Sequence, residues 1–71
     1  MNLQEHLDHL GWTVADLSRR ANITPATAHR AVRGEQVTAR VAQSIAAAIS
    51  EARGPAARVH VGDIDGLKVG G

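Results

Sequence analysis

Residues 14–33, VADLSRRANITPATAHRAVR, decide how this chain folds. Val14, Leu17 and Ala21 recur at the spacings of three and four that line up side chains on one face of a helix, while Asp16, Arg19 and Arg20 fall on its other faces. Asn22 follows, and asparagine tolerates the left-handed backbone that a tight helix exit requires. Ile23 supplies an apolar plug for the turn. Thr24-Pro25 then restarts a helix: the threonine oxygen accepts a bond from a free amide, and proline suits the first helical position, where its missing N–H costs nothing. The stretch therefore reads as two short helices joined by a sharp turn.

Where helix backbones cross closely only small side chains fit, and the stretch places Ser18 and Ala21 before the turn, then Ala28 and Ala31 after it. Ala28, Ala31 and Val32 share one face of the second helix. At about 100° per residue the opposite face carries Ala26, Arg30 and Arg33, with Thr27 and His29 on its flanks. An apolar face of alanine and valine backed by arginine, histidine and threonine is what a helix needs to sit on a core and present its other side to a DNA groove.

These residues resemble the DNA-binding domain of the lambda-repressor/Cro (XRE-type) helix-turn-helix family. The family's apolar motif positions fall on Leu17, Ile23, Ala28 and Ala31, its small residue on Ser18 and its turn residue, usually glycine, on Asn22. The resemblance extends over about residues 2–52 through an Arg33-Gly34 exit and a following helix opened by Thr38. It departs from the pattern at the start of the motif, where the family often carries a phosphate-bonding glutamine and this chain has Val14 and Ala15. The resemblance implies an all-α fold, a lambda-repressor-like bundle of four to five helices with a short C-terminal strand or hairpin.

Charge agrees with a nucleic-acid partner once it is mapped. The formal net charge is only +1, but the charges are segregated. Residues 1–17 hold Glu5, Asp8 and Asp16 with no lysine or arginine. Residues 18–40 hold Arg19, Arg20, Arg30, Arg33 and Arg40 against Glu35, a local charge of +4 that coincides with the motif.

With 71 residues the chain is one domain near the lower limit for an independent core, and thirteen of its apolar residues are alanine. Such a core supplies about 3–5 kcal/mol, so a second subunit is expected to add burial. No cysteine is present to form a disulfide or a thiolate metal site. The longest wholly apolar run, Ile45 to Ile49, is too short to span a membrane. The reading is a protein of the bacterial host cytoplasm, without membrane contact.

Outside the motif, Asn2 and Glu5 form a capping-box pattern for a first helix with the stripe Leu3, Leu7, Leu10, ended by Gly11. Trp12, the only aromatic residue, is expected between this helix and the next two. Thr13 to Asp16 repeats the capping signature. Thr38 opens a helix to about Ala52, with Val41, Ala42, Ile45, Ala48 and Ile49 inward, and Gly54-Pro55 stops it. Residues 1–54 thus form the DNA-binding unit and 55–71 a tail of different character. In the tail, 58–61 and 67–69 alternate apolar residues around a glycine-bounded loop, which fits a hairpin, a single strand for a partner, or a disordered tail. The family resemblance favours homodimerisation through residues 58–69.

The candidate DNA-binding residues follow. Arg30 and Arg33 are suited to bidentate contact with guanine, and Arg33 alternatively to phosphate. Ala26 and Thr27 can touch a thymine methyl, Thr24 and the free amides of the helix start can hold a phosphate, and Pro25 heads the helix placed in the groove. His29 can bond base or phosphate, and Arg19, Arg20 and Arg40 can hold the backbone. His6 and His9 lie close enough on one helix to share a metal, but no thiol or third ligand accompanies them. Asp63 and Asp65 lack the rest of a calcium loop. No serine, histidine and acid are spaced for catalysis, so no enzyme activity, metal or cofactor is assigned. The function read from the sequence is a phage- or mobile-element-type repressor, Cro-like, that binds a double-stranded DNA operator as a homodimer. An antitoxin, an excisionase-like factor and a protein-interaction module that has lost DNA binding are the other readings of the same fold.

Overall fold

The computed structural model describes residues 1–70. Four α-helices follow in order: α1 (Leu3–Leu10), α2 (Val14–Ala21), α3 (Pro25–Val32) and α4 (Ala39–Arg53). Two single 3-10 turns, Pro55–Ala57 and Val61–Asp63, complete the chain. Each α-helix starts on a side-chain cap. Asn2 and Glu5 exchange side-chain-to-amide bonds of 2.8 Å at α1, and Thr13 and Asp16 do the same at α2 with bonds of 2.9 and 3.1 Å. Thr24 and Thr38 each accept from the amide three residues on, at 3.2 Å. These bonds satisfy amides that a helix start otherwise leaves open.

The turn between α2 and α3 rests on Asn22, which holds a φ of 57°. Ile23 then donates its amide to the Ser18 carbonyl at 2.9 Å, so the chain reverses within two residues and α3 packs directly on α2. Ala28 is fully buried, and Ser18, Ala21 and Ala31 are nearly so. Ser18 can sit in this apolar contact because its hydroxyl donates back to the Ala15 carbonyl at 2.7 Å.

The core is built from Leu7, Leu17, Ile45 and Ile49, all completely buried, with Leu3 and the small residues around them. Leu10, Trp12, Val14, Ile23, Val32 and Val41 lie half-buried at its margin. His6 is also buried, with Nε2 unpartnered, while His9 is exposed. Burial first, then the N-terminal ammonium and Arg53, push the His6 pKa below its ordinary value.

The tail corrects the expectation of a strand or hairpin: among the described residues it forms neither. Arg58–Val61 and Leu67–Val69 do not pair with each other. Isolated parallel bridges join Asn2 to Asp65 and Val37 to Val69 instead. The Val37 amide donates to the Lys68 carbonyl, and the Gly70 amide donates back to the Val37 carbonyl, each at 2.9 Å. The physical reason is burial. An alanine-rich helix set leaves the core short of large side chains, and Val59 and Ile64 fill it from the tail, at 6% and 3% exposure. The chain bends through the Val61–Asp63 turn, and Ile64, which the hairpin reading places in the loop, enters the core.

One side chain ties this wrap to α4. Ser50 Oγ donates to the Val59 carbonyl and accepts from the Val59 amide, both at 2.7 Å. Ser50→Ala strands both backbone groups of a buried residue and should cost about 1–3 kcal/mol. Hydrogen exchange at Val59 and Ile64 should accelerate well before exchange in α2 and α3. Equal acceleration everywhere would mean that the tail does not open by itself.

Candidate nucleic-acid interface

The exposed face of α3 is set by what its other face must do. Ala28 and Ala31 are spent on the contact with α2, so helix periodicity turns Ala26, His29 and Arg30 outward. Pro25 and Arg33 are exposed at the two ends, and Thr27 is half-buried beside them. At the helix start Thr24 Oγ1 accepts the Thr27 amide and donates to Thr27 Oγ1 at 2.8 Å. Thr24 is therefore occupied as a cap, and the Thr27 hydroxyl hydrogen is left to point elsewhere.

The arginines do not hang free. Arg30 Nη2 donates to the Gln36 carbonyl at 3.4 Å, and its Nε lies 3.9 Å from Glu35. Arg33 Nε donates to Glu35 Oε2 at 2.7 Å. Both remain more than half exposed, at 55% and 62% of their side chains, so solvent and ligand still reach them. Beside them a surface groove of about 340 Å³ runs between α3 and the start of α4, lined by Thr27, Arg30, Gln36, Val37, Thr38, Val41 and Gly70.

The basic block holds three further arginines, Arg19, Arg20 and Arg40. Arg19 is bonded to Asp16 at 2.5 Å on α2. The Asp16 carboxyl is held below the usual carboxylate range, first by the Thr13 amide, then by the Thr13 hydroxyl and Arg19. Arg20 lies over the ring of Trp12, 5.4 Å from its centroid, which engages it with the α1–α2 junction. Arg40 is exposed in the first turn of α4. At the head of α2, where Val14 and Ala15 stand, neither side chain can donate a hydrogen bond.

The groove adds residues that the sequence reading did not single out as sites. Thr38 shows in the sequence only as a helix cap, and Gln36 carries no signal of its own. Both line the same concavity as Thr27 and Arg30. Glu35 was visible as the lone acid within a basic block, but its place between two arginines follows from the Gly34 turn, which periodicity does not describe. Among the described residues no group of three potential metal ligands gathers, and no helix is long and apolar enough to cross a membrane.

Electrostatically and sterically the face suits the edge of a polyanion with bases accessible at the floor of a groove. A convex helix carries arginine and histidine, flanked by hydroxyls and an amide side chain, and no acid of α3 itself opposes them. A family model described as the Cro/C1-type HTH DNA-binding domain matches residues 2–51. No curated protein and no solved structure matches the chain.

Proposed function

We propose that this chain, which belongs to the Cro/C1-type helix-turn-helix DNA-binding family, is a sequence-specific transcriptional repressor of the phage or mobile-element kind. The observation that carries the reading is the outward face of α3, where His29, Arg30 and Arg33 are exposed on a helix whose opposite face is locked into α2. In this reading α3 enters the major groove. Arg30 and Arg33 read guanine edges or hold the adjacent phosphate, and Ala26 and Thr27 meet thymine methyls. The open amides of the helix start at Thr24 and Pro25, with Arg19, Arg20 and Arg40, serve the sugar-phosphate backbone, and the phosphate contact of the absent glutamine falls to the groove residues Gln36 and Thr38. Repression follows from occupying a promoter and needs no chemistry.

The chain acts as a homodimer, with α3 helices about one DNA turn, roughly 34 Å, apart. Residues 58–69 remain the proposed dimer segment. Val59 and Ile64 are committed to the core, which leaves Val69, 46% exposed, as the large apolar side chain of the tail offered to a partner.

Selection of bound sequences from random duplexes tests the reading. The expected product is a palindromic consensus, bound with an affinity that falls by about 0.9 log units per phosphate contact for each tenfold rise in salt. Failure to enrich any sequence would overturn sequence-specific reading, and a non-palindromic consensus would overturn the two-fold dimer.

A further inference from the structure

The two arginines at the exit of α3 share one carboxylate. Glu35 Oε2 accepts from Arg33 Nε at 2.7 Å, and Oε1 lies 3.9 Å from Arg30 Nε. The backbone puts it there. Gly34 takes a φ of 81°, and the Glu35 amide turns back to the Arg30 carbonyl at 2.9 Å, closing the end of the helix. A carboxylate at a helix C-terminus opposes the helix dipole. On a surface offered to phosphates it also removes one of the positive charges that drive counterion release. A residue unfavourable on both counts is accounted for if the arginines depend on it.

We propose that Glu35 is the positioning residue of the DNA-reading face: it pins the guanidinium planes of Arg30 and Arg33 and, by halving their combined charge, suppresses binding to non-cognate DNA. The proposal rests on the DNA reading above. The geometry explains how pinning and reading coexist. Arg33 is held through Nε, which leaves the Nη1 and Nη2 end of its fork for the paired acceptors N7 and O6 of guanine. Arg30 is held from the side by Glu35 and by the Gln36 carbonyl, 3.4 Å from its Nη2. Each fork is thus oriented before DNA arrives, and less conformational freedom is lost on binding.

Two substitutions separate charge from geometry, and Glu35 is exposed enough for both to leave the fold intact. Glu35→Gln should tighten binding to poly(dI-dC) roughly 5- to 10-fold at about 0.1 M salt and steepen the salt slope by about one. It should leave affinity for the wild-type-selected duplex unchanged or weaker, so the specificity ratio falls about tenfold. Glu35→Asp keeps the charge but shortens the reach; poly(dI-dC) binding should stay at the wild-type level while the selected duplex binds several-fold more weakly. In the free protein, exchange of the Arg33 Nε hydrogen, followed by NMR, should be slow in wild type and fast in Glu35→Gln. An unchanged specificity ratio in Glu35→Gln, or equal Arg33 exchange in both proteins, overturns the role of Glu35 while the DNA reading stands. A wild-type chain that enriches no sequence overturns the DNA reading and this role together, even if the Arg33 signal is protected.

Discussion

Arg30→Ala should bind the selected duplex about 5- to 150-fold more weakly, the loss expected when a bidentate base contact worth about 1–3 kcal/mol is removed. Binding to poly(dI-dC) should fall only a few-fold. The asymmetry is the test, because Arg30 already shares a carboxylate with Arg33 and offers less than a full free charge to phosphate. Selection repeated with the variant should return a consensus degenerate at the position Arg30 reads and unchanged elsewhere. Equal losses on specific and non-specific DNA would make Arg30 a phosphate contact and leave base reading to Arg33 and His29. Misfolding will not confuse the result, since the Arg30 side chain is 55% exposed and the Gln36 carbonyl it leaves is taken up by water.

Ile45→Ala should leave much of the protein unfolded at 37 °C. Ile45 is fully buried on α4, in the cluster with Leu7, Leu17 and Ile49. Truncating such a side chain costs about 2–5 kcal/mol, part of it from the cavity left behind. A core of this size supplies only about 3–5 kcal/mol, so the loss approaches the whole. Little can collapse into the space, because Ala42, Ala46 and Ala48 are among the buried residues nearest Ile45 along α4 and the large Ile49 is already fully buried. Circular dichroism at 222 nm under urea should show the midpoint shifted far toward zero denaturant. Ala47→Ser, on the exposed side of the same helix, should change stability by less than about 0.5 kcal/mol. A loss below about 1 kcal/mol for Ile45→Ala would show that α4 is not the centre of the core. Rescue of the variant at high protein concentration would reveal stability drawn from a second subunit.

The helix-turn-helix was legible because every signal that defines it is local. Caps and their partners lie three residues apart, as in Asn2 with Glu5 and Thr13 with Asp16. The left-handed exit is announced by Asn22, and the helix crossing by the small residues that alone fit it. The outward direction of Ala26, His29 and Arg30 follows from the same periodicity once Ala28 and Ala31 are known to face inward. The fate of those arginines was not legible. Arg33 meets Glu35, and Arg30 meets Gln36, across a turn whose shape depends on the φ of Gly34. Arg20 lies over the face of Trp12, a partner eight positions away on the preceding turn.

The tail marks the same boundary more sharply. Alternation at residues 58–61 and 67–69 describes side chains on opposite sides of an extended backbone, and it says nothing about which surface receives them. Val59 and Ile64 fold back because the four helices, rich in alanine, leave room that only large side chains fill. Ser50 then secures Val59 through a pair of hydrogen bonds with no sequence signature. What the sequence by itself determined is therefore the set of helices, their caps, the α2–α3 crossing and the basic character of the exposed face, since each follows from spacings of three or four residues. Only the tertiary structure decided that the tail completes the core and that Glu35 lies against both Arg30 and Arg33, because both depend on space and direction that appear after the helices have packed.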